Sequence, residues 1–245
     1  MTSPDETSGT GELLWRELAR NRTAVTIATV TVLLAATFVT LTLRRPELAT
    51  FVPSSREPTP AGGELVGPLT YTVDARSSDR WQFFSFSQGT VVTDPRPFEW
   101  DLAFRRFQVI VNGGDRFPGM GGVIGLRDAP FDSVSSLPEA GYQGTEAARG
   151  DSISPPLEDW YDYSFLSHLL SPTPRVYAVR TADGRYAKFR FLGYYCPGAQ
   201  PGCVTFEYVY QGKGGREVLS FRSGISKEEL KLDRPGPPSL SILDR

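Results

Sequence analysis

The uncharged run from Thr23 to Leu43 (TAVTIATVTVLLAATFVTLTL) constrains this chain more than any other feature. It contains neither Gly nor Pro, and about 20 apolar residues in a helix cross a hydrocarbon core of roughly 30 Å. Arg20 and Arg22 bound the run on one side and Arg44 and Arg45 on the other, and Pro46 stops the helix. A signal sequence is the competing reading, but its apolar region is about 7–15 residues long and ends in a small-residue cleavage site. Here polar residues lead in, and the run closes on Leu43-Arg44-Arg45-Pro46. The expectation is therefore a retained single-pass anchor over 23–43, after an N-terminal segment 1–22.

The span is rich in Thr, Ala and Val rather than Leu, and Ala24 and Ala28 form a small-xxx-small pair. Small residues let helices approach closely, and Thr hydroxyls either bond across an interface or fold back on their own helix. Ahead of it, Leu14, Trp15 and Leu18 recur at helical spacing among charges, as an interfacial lead-in does. Flanking Arg residues are too evenly divided to orient the span. Cysteine does that instead. The only two, Cys196 and Cys203, bracket Pro-Gly-Ala-Gln-Pro-Gly between strand-like segments. With one histidine in the chain and none nearby, a zinc site lacks ligands. A disulfide closing the loop is expected, which places that region in an oxidising compartment.

Beyond the span, prolines at 53, 58, 60 and 68 among Ser, Thr and Gly predict an extended spacer over 44–68. The folded domain is expected over 69–221. The whole chain's 24 Gly and 20 Pro, with 29 aromatic residues (15 Phe, 10 Tyr, 4 Trp), favour short strands joined by many turns. Tyr71–Val73, Trp81–Ser87, Thr90–Thr93, Trp100–Val111, Val176–Thr181 and Arg185–Tyr195 read as strands. Ala182-Asp183-Gly184 signals a hairpin between the last two. In RYAKFRFLGYY, Ala187, Phe189 and Phe191 alternate with Tyr186, Lys188 and Arg190, so one face should be buried; Val204, Phe206, Tyr208 and Tyr210 repeat the period. Residues 113–156 read as loops over the sheet. The tail 222–245 holds one helical signal, Ser226 to Leu232, before Pro235-Gly-Pro-Pro238.

Chemistry-bearing residues are few. His168, in Trp160-Tyr-Asp-Tyr163-Ser-Phe-Leu-Ser-His168, is either an ordinary loop histidine or an axial ligand to a haem iron. Met120, on GMGGVIG, is the one internal candidate for a second ligand. That Gly-rich loop is off the dinucleotide register. Asp101 reads as a buried structural carboxylate, and no Ser-His-Asp or Cys-His set can be assembled, so no enzyme is expected. A formal charge of −2 argues against nucleic acid.

Trp100-Asp-Leu-Ala-Phe-Arg-Arg-Phe107 with Asn112-Gly-Gly, Trp160-Tyr-Asp-Tyr163, Asp183-Gly-Arg-Tyr-Ala-Lys188 and Phe206-Glu-Tyr208-Val-Tyr210-Gln together resemble the HmuY-like proteins. The similarity covers roughly 71–211. It implies a mainly β domain of twisted antiparallel sheet, here preceded by a single transmembrane α-helix. It also implies haem held between two side chains, His or Met, as in the family's haemophores. Two departures stand out: only one histidine is present, and the domain is tied to a span.

The leading expectation is a non-catalytic, membrane-anchored accessory subunit without cofactor. The helix would pack through Ala24 and Ala28 into a larger complex, respiratory or photosynthetic, in a bacterial inner membrane, with the β domain in the periplasm. Other inner-membrane subunits and the lipid bilayer are its expected partners. The alternative is a tethered haem or tetrapyrrole module using His168 and Met120.

Overall fold

The computed structural model describes residues 21–43, 48–126, 129–148 and 150–218. The N-terminal lead-in, Arg44 and Arg45, and the tail 222–245 lie outside these. Two units result, divided after Leu48.

The first contains helix α1, Arg22–Leu43. It is long and apolar enough to cross a membrane by length and composition, and none of that stretch is buried. Its threonines turn inward on the helix itself: the hydroxyls of Thr26, Thr29 and Thr31 each donate to the carbonyl four residues back at 2.9 Å, and Thr40 does so to Ala36. Bonding back to the preceding turn satisfies each of these hydroxyls without a partner outside the helix.

The second unit is an antiparallel β sandwich. Its strands are β1 (Leu65–Asp74), β2 (Gln82–Ser85), β3 (Thr90–Val92), β4 (Leu102–Arg105), β5 (Gln108–Val111), β6 (Gly122–Leu126) and β7 (Glu146–Ala148). There follow β8 (Asp151–Ile153), β9 (Tyr161–Ser164), β10 (Leu169–Pro172), β11 (Val176–Arg180), β12 (Tyr186–Cys196) and β13 (Gln200–Gln211). One sheet has the order β1-β13-β12-β11-β6 and the facing one β3-β2-β4-β5; β7-β8 and β9-β10 are separate hairpins.

Aromatic rings from the two sheets interlock. Phe84 of β2 meets Phe206 of β13 edge-on at 5.0 Å, and Phe104 of β4 stacks on the same ring at 5.4 Å. Edge-to-face and offset pairs of this kind are favoured by the ring quadrupole. Asp101, wholly buried, ties the layers at one end. Its two carboxylate oxygens accept from Phe86 N at 2.8 Å and Ala182 N at 2.9 Å. The Ala182-Asp183-Gly184 turn expected there does join β11 to β12, with Gly184 at φ 82°.

The structure departs from the sequence pattern in several places. The single strand expected over 100–111 folds back at Arg106 (φ 55°) and Phe107 into the β4–β5 hairpin. Most of both strands is buried, so a continuous apolar run hides the turn. Residues 113–156 do pass over the sheet, but they also supply its edge strand β6. The second face of β12 is covered too. Phe131, Val134 and Leu137 pack over it, and the ammonium of Lys188 donates to the Phe131 and Val134 carbonyls at 2.8 Å each. Burial pushes the Lys188 pKa down. Much of the expected spacer belongs to the sandwich as well. Phe51 N donates to Tyr195 O, Thr59 N to Gln88 O and Ala61 N to Ser87 O.

Candidate functional site

Cys196 and Cys203 form the expected disulfide, with Cα atoms 5.0 Å apart across the β12–β13 turn. Just inside it, at the same end of β12, the hydroxyl of Tyr195 accepts from Leu170 N at 2.9 Å and so seats the β9–β10 hairpin. At the hairpin's foot, Trp160 lies 4.3 Å from Phe191 between ring centroids, and its indole N–H donates to Phe107 O at 2.7 Å. The foot is therefore rigid and buried. From there the hairpin runs in the direction Phe191 to Tyr195, where Leu170 is held, and its tip, Phe165-Leu166-Ser167-His168, is exposed.

His168 is exposed and closes the turn, its N–H donating to Ser164 O at 2.8 Å with φ at 56°. A left-handed conformation is uncommon for a residue other than glycine. The imidazole Nδ1 sits 2.7 Å from the Tyr163 hydroxyl. In the tautomer that donates from Nδ1, Nε2 keeps its lone pair for a metal, and the phenol fixes the ring as outer partners of ligating histidines do. Among the described residues nothing else bonds the ring.

Met120 lies elsewhere. Its N–H donates to Ala182 O, its carbonyl accepts from Arg180 Nε at 2.6 Å, and its side chain lies against Gly184. That is the beginning of β12, whereas the hairpin carrying His168 is held at its other end, by Tyr195. The strand from Tyr186 to Tyr195 alone covers roughly 30 Å. The two residues therefore cannot hold one iron, because the Gly-rich loop is pinned to the β11–β12 turn rather than folded toward the hairpin. His168, with Nε2 unengaged among the described residues and its ring held by Tyr163, is the side chain that would hold a haem iron, and Met120 lies too far from it to share that role.

Beside the hairpin foot opens a cleft of about 400 Å³, lined by Phe107, Val109, Ile153, Leu157 and Tyr161 with Gln108, Asp151 and Glu158 at its polar side. Arg105 pairs with Asp151 there. The Ser152 N–H, together with Gln108 and Arg105, holds the Asp151 carboxyl below its usual range. Neither this cleft nor the Tyr163 partnership was visible in the sequence; the alternation Tyr161-Asp-Tyr163 was the only signal of a strand there. Among the described residues, no three His, Cys, Asp or Glu side chains converge on a point that could cage a bare metal ion.

A two-layer antiparallel sandwich with a hairpin that presents His168 at its tip defines an all-β domain. The family described as HmuY protein matches residues 77–208, more than half of the chain, and the chain belongs to that family. Among solved structures, the apo form of a HmuY analog from Tannerella forsythia aligns with a TM-score of 0.51 at 18% identity, over 60% of this chain and 97% of that one. A Bacteroides vulgatus protein described as HmuY-like and haem-binding aligns at 0.48 and 22% identity, over 67% and 98%. A Bacteroides fragilis protein described as a lipoprotein aligns at 0.47 and 22% identity, over 63% and 95%. No curated protein matches the sequence.

Proposed function

We propose that this chain is a membrane-tethered, non-enzymatic tetrapyrrole-binding module. In this reading α1 is a retained single-pass anchor in a bacterial inner membrane and the β sandwich stands in the periplasm, where the Cys196–Cys203 bridge persists. The observation that carries it is His168: a HmuY-family chain presents its one histidine, oriented by Tyr163, at an exposed hairpin tip. His168 would hold the iron through Nε2, and bound haem would supply a redox-capable metal centre. This reading displaces the accessory subunit without cofactor as the leading one, because family membership favours a haem-type module.

Haem titration of the purified protein tests it. A Soret band that builds to saturation, disappears in His168→Gly and survives in Met120→Leu is expected. An unchanged band in His168→Gly, or none in the parent protein, overturns the assignment. Glycine is the better replacement than alanine because the left-handed turn tolerates it.

The accessory-subunit reading keeps less support: the hydroxyls of Thr26, Thr29, Thr31 and Thr40 fold back on their own helix rather than reaching across an interface, and the exposed Ala24 and Ala28 are what remains as a surface for close approach by another helix.

A further inference from the structure

We propose that the tip of the β9–β10 hairpin docks into the lipid bilayer that the chain's own helix spans. The inference rests on the retained anchor of the preceding section but not on haem.

Turn tips favour Gly, Asn, Asp and Ser, which suit both the backbone and water. This one carries Phe165, 84% exposed, and Leu166, 97% exposed, the two most exposed large apolar side chains of the sandwich among the described residues. Tyr163, 46% exposed, packs edge-on to Phe165 at 5.4 Å. Ser167 and His168 supply a polar margin. An apolar point rimmed by a tyrosine and polar groups is the composition of an interfacial anchor.

Chain connectivity says which surface covers it. The polypeptide reaches the sandwich at Thr50 and Phe51, which bridge to Tyr195, with Phe51 N donating to Tyr195 O at 2.8 Å. Tyr195 is the same residue whose hydroxyl seats the hairpin through Leu170. The tether and the apolar tip therefore leave the sandwich from one end. Val52, 71% exposed, adds an apolar side chain next to the tether. Helix α1 ends at Leu43, and the chain between Leu43 and Thr50 reaches at most roughly 25 Å however extended. A tether so short keeps that end of the sandwich within reach of the bilayer, where an exposed Phe-Leu tip finds the apolar layer before it finds another protein.

Site-directed spin labelling of the full-length chain tests this. Both cysteines are bridged, so Ser167→Cys gives a single labelling position. In phosphatidylcholine–phosphatidylglycerol vesicles, the label should collide with oxygen several-fold more than with a water-soluble nickel chelate, relative to a control label at Lys213→Cys, which is exposed at the opposite end of the sandwich, just past the pair of Gln211 with Tyr186. Adding Phe165→Asp and Leu166→Asp should return it to the nickel-accessible state of the control. A label at Thr37→Cys reports the anchor separately. If Thr37→Cys reads as lipid while Ser167→Cys reads as water, docking fails and the anchor stands. If both read as water, the anchor itself fails and docking with it. Nickel exclusion at Ser167→Cys accompanied by spin–spin broadening that vanishes on dilution with unlabelled chain would assign the tip to a second copy and overturn the proposal.

Discussion

His168 occupies a left-handed backbone position that disfavours every residue with a Cβ, by roughly 1 kcal/mol. Asp94, Arg106 and Ala199 adopt the same conformation, so it is the Tyr163 hydrogen bond rather than the backbone that points to a role for the imidazole. His168→Gly should leave the sandwich intact and raise its unfolding free energy by about 0–1 kcal/mol, measured in denaturant, while removing the haem band. A loss of stability would mean that the Tyr163 hydrogen bond outweighs the strain. Asp101 makes a second prediction. Burial pushes its pKa up to about 7, against the two backbone N–H groups that favour the ionised form. The unfolded value is about 3.9. Between these values the folded state binds the extra proton, so this group makes stability fall as pH rises from about 4 to about 7 and flat beyond. The loss is on the order of a few kcal/mol. Denaturant midpoints from pH 4.5 to 8 should show that slope, and Asp101→Asn should flatten it; a variant with the same slope would assign it to another group.

At the scale of elements, the β12–β13 pair is fastened by the Cys196–Cys203 bridge. Closing so short a loop constrains the unfolded chain by roughly 2–3 kcal/mol, so the Cys196→Ser, Cys203→Ser double variant should lose about that much in equilibrium unfolding. For α1, Ala24→Leu with Ala28→Leu should weaken co-purification of membrane partners in mild detergent, and unchanged co-purification would remove the helix-packing reading. Legibility in the sequence follows the same elements. β12, β13 and the turn at Ala182-Asp183-Gly184 were readable because each long strand keeps strict alternation. β9 and β10 were not, since four-residue strands around an apolar tip offer no period long enough to recognise. His168 could be found because it is the only histidine, but its orienting partner Tyr163 needed the hairpin. The separation of Met120 from it needed the length of β12, a quantity no residue pattern contains.

For the molecule as a whole, the decisive question is where folding begins along the chain. Proline content places a spacer over 44–68, yet the described chain from Ala49 on is part of the sandwich unit. Phe51 packs against Gly193, where a Cβ would sit 2.3 Å from the phenyl ring, so any larger residue must displace it. Ser54 N donates to Thr72 O, and Thr59 and Ala61 lace to Gln88 and Ser87. Strand β1 starts at Leu65, paired to Gln211. Pro53, Pro58 and Pro60 fall outside any strand and only Pro68 lies in β1, which is why composition alone reads as linker. A fragment covering 49–245 should therefore unfold at the same denaturant midpoint as the sandwich in the full chain. One covering 69–245 loses the Phe51 packing, five backbone-to-backbone hydrogen bonds to the rest of the sandwich and the pairing of Leu65 with Gln211 and Val66 with Tyr210 in β1. At about 1 kcal/mol per hydrogen bond, it should lose several kcal/mol or fail to fold. Gly193→Ala, which evicts Phe51 without shortening the chain, should reproduce part of that loss. Equal stability of the two fragments would return 49–68 to the role of spacer, lengthen the tether to the membrane, and remove the close leash on which docking of the hairpin tip depends.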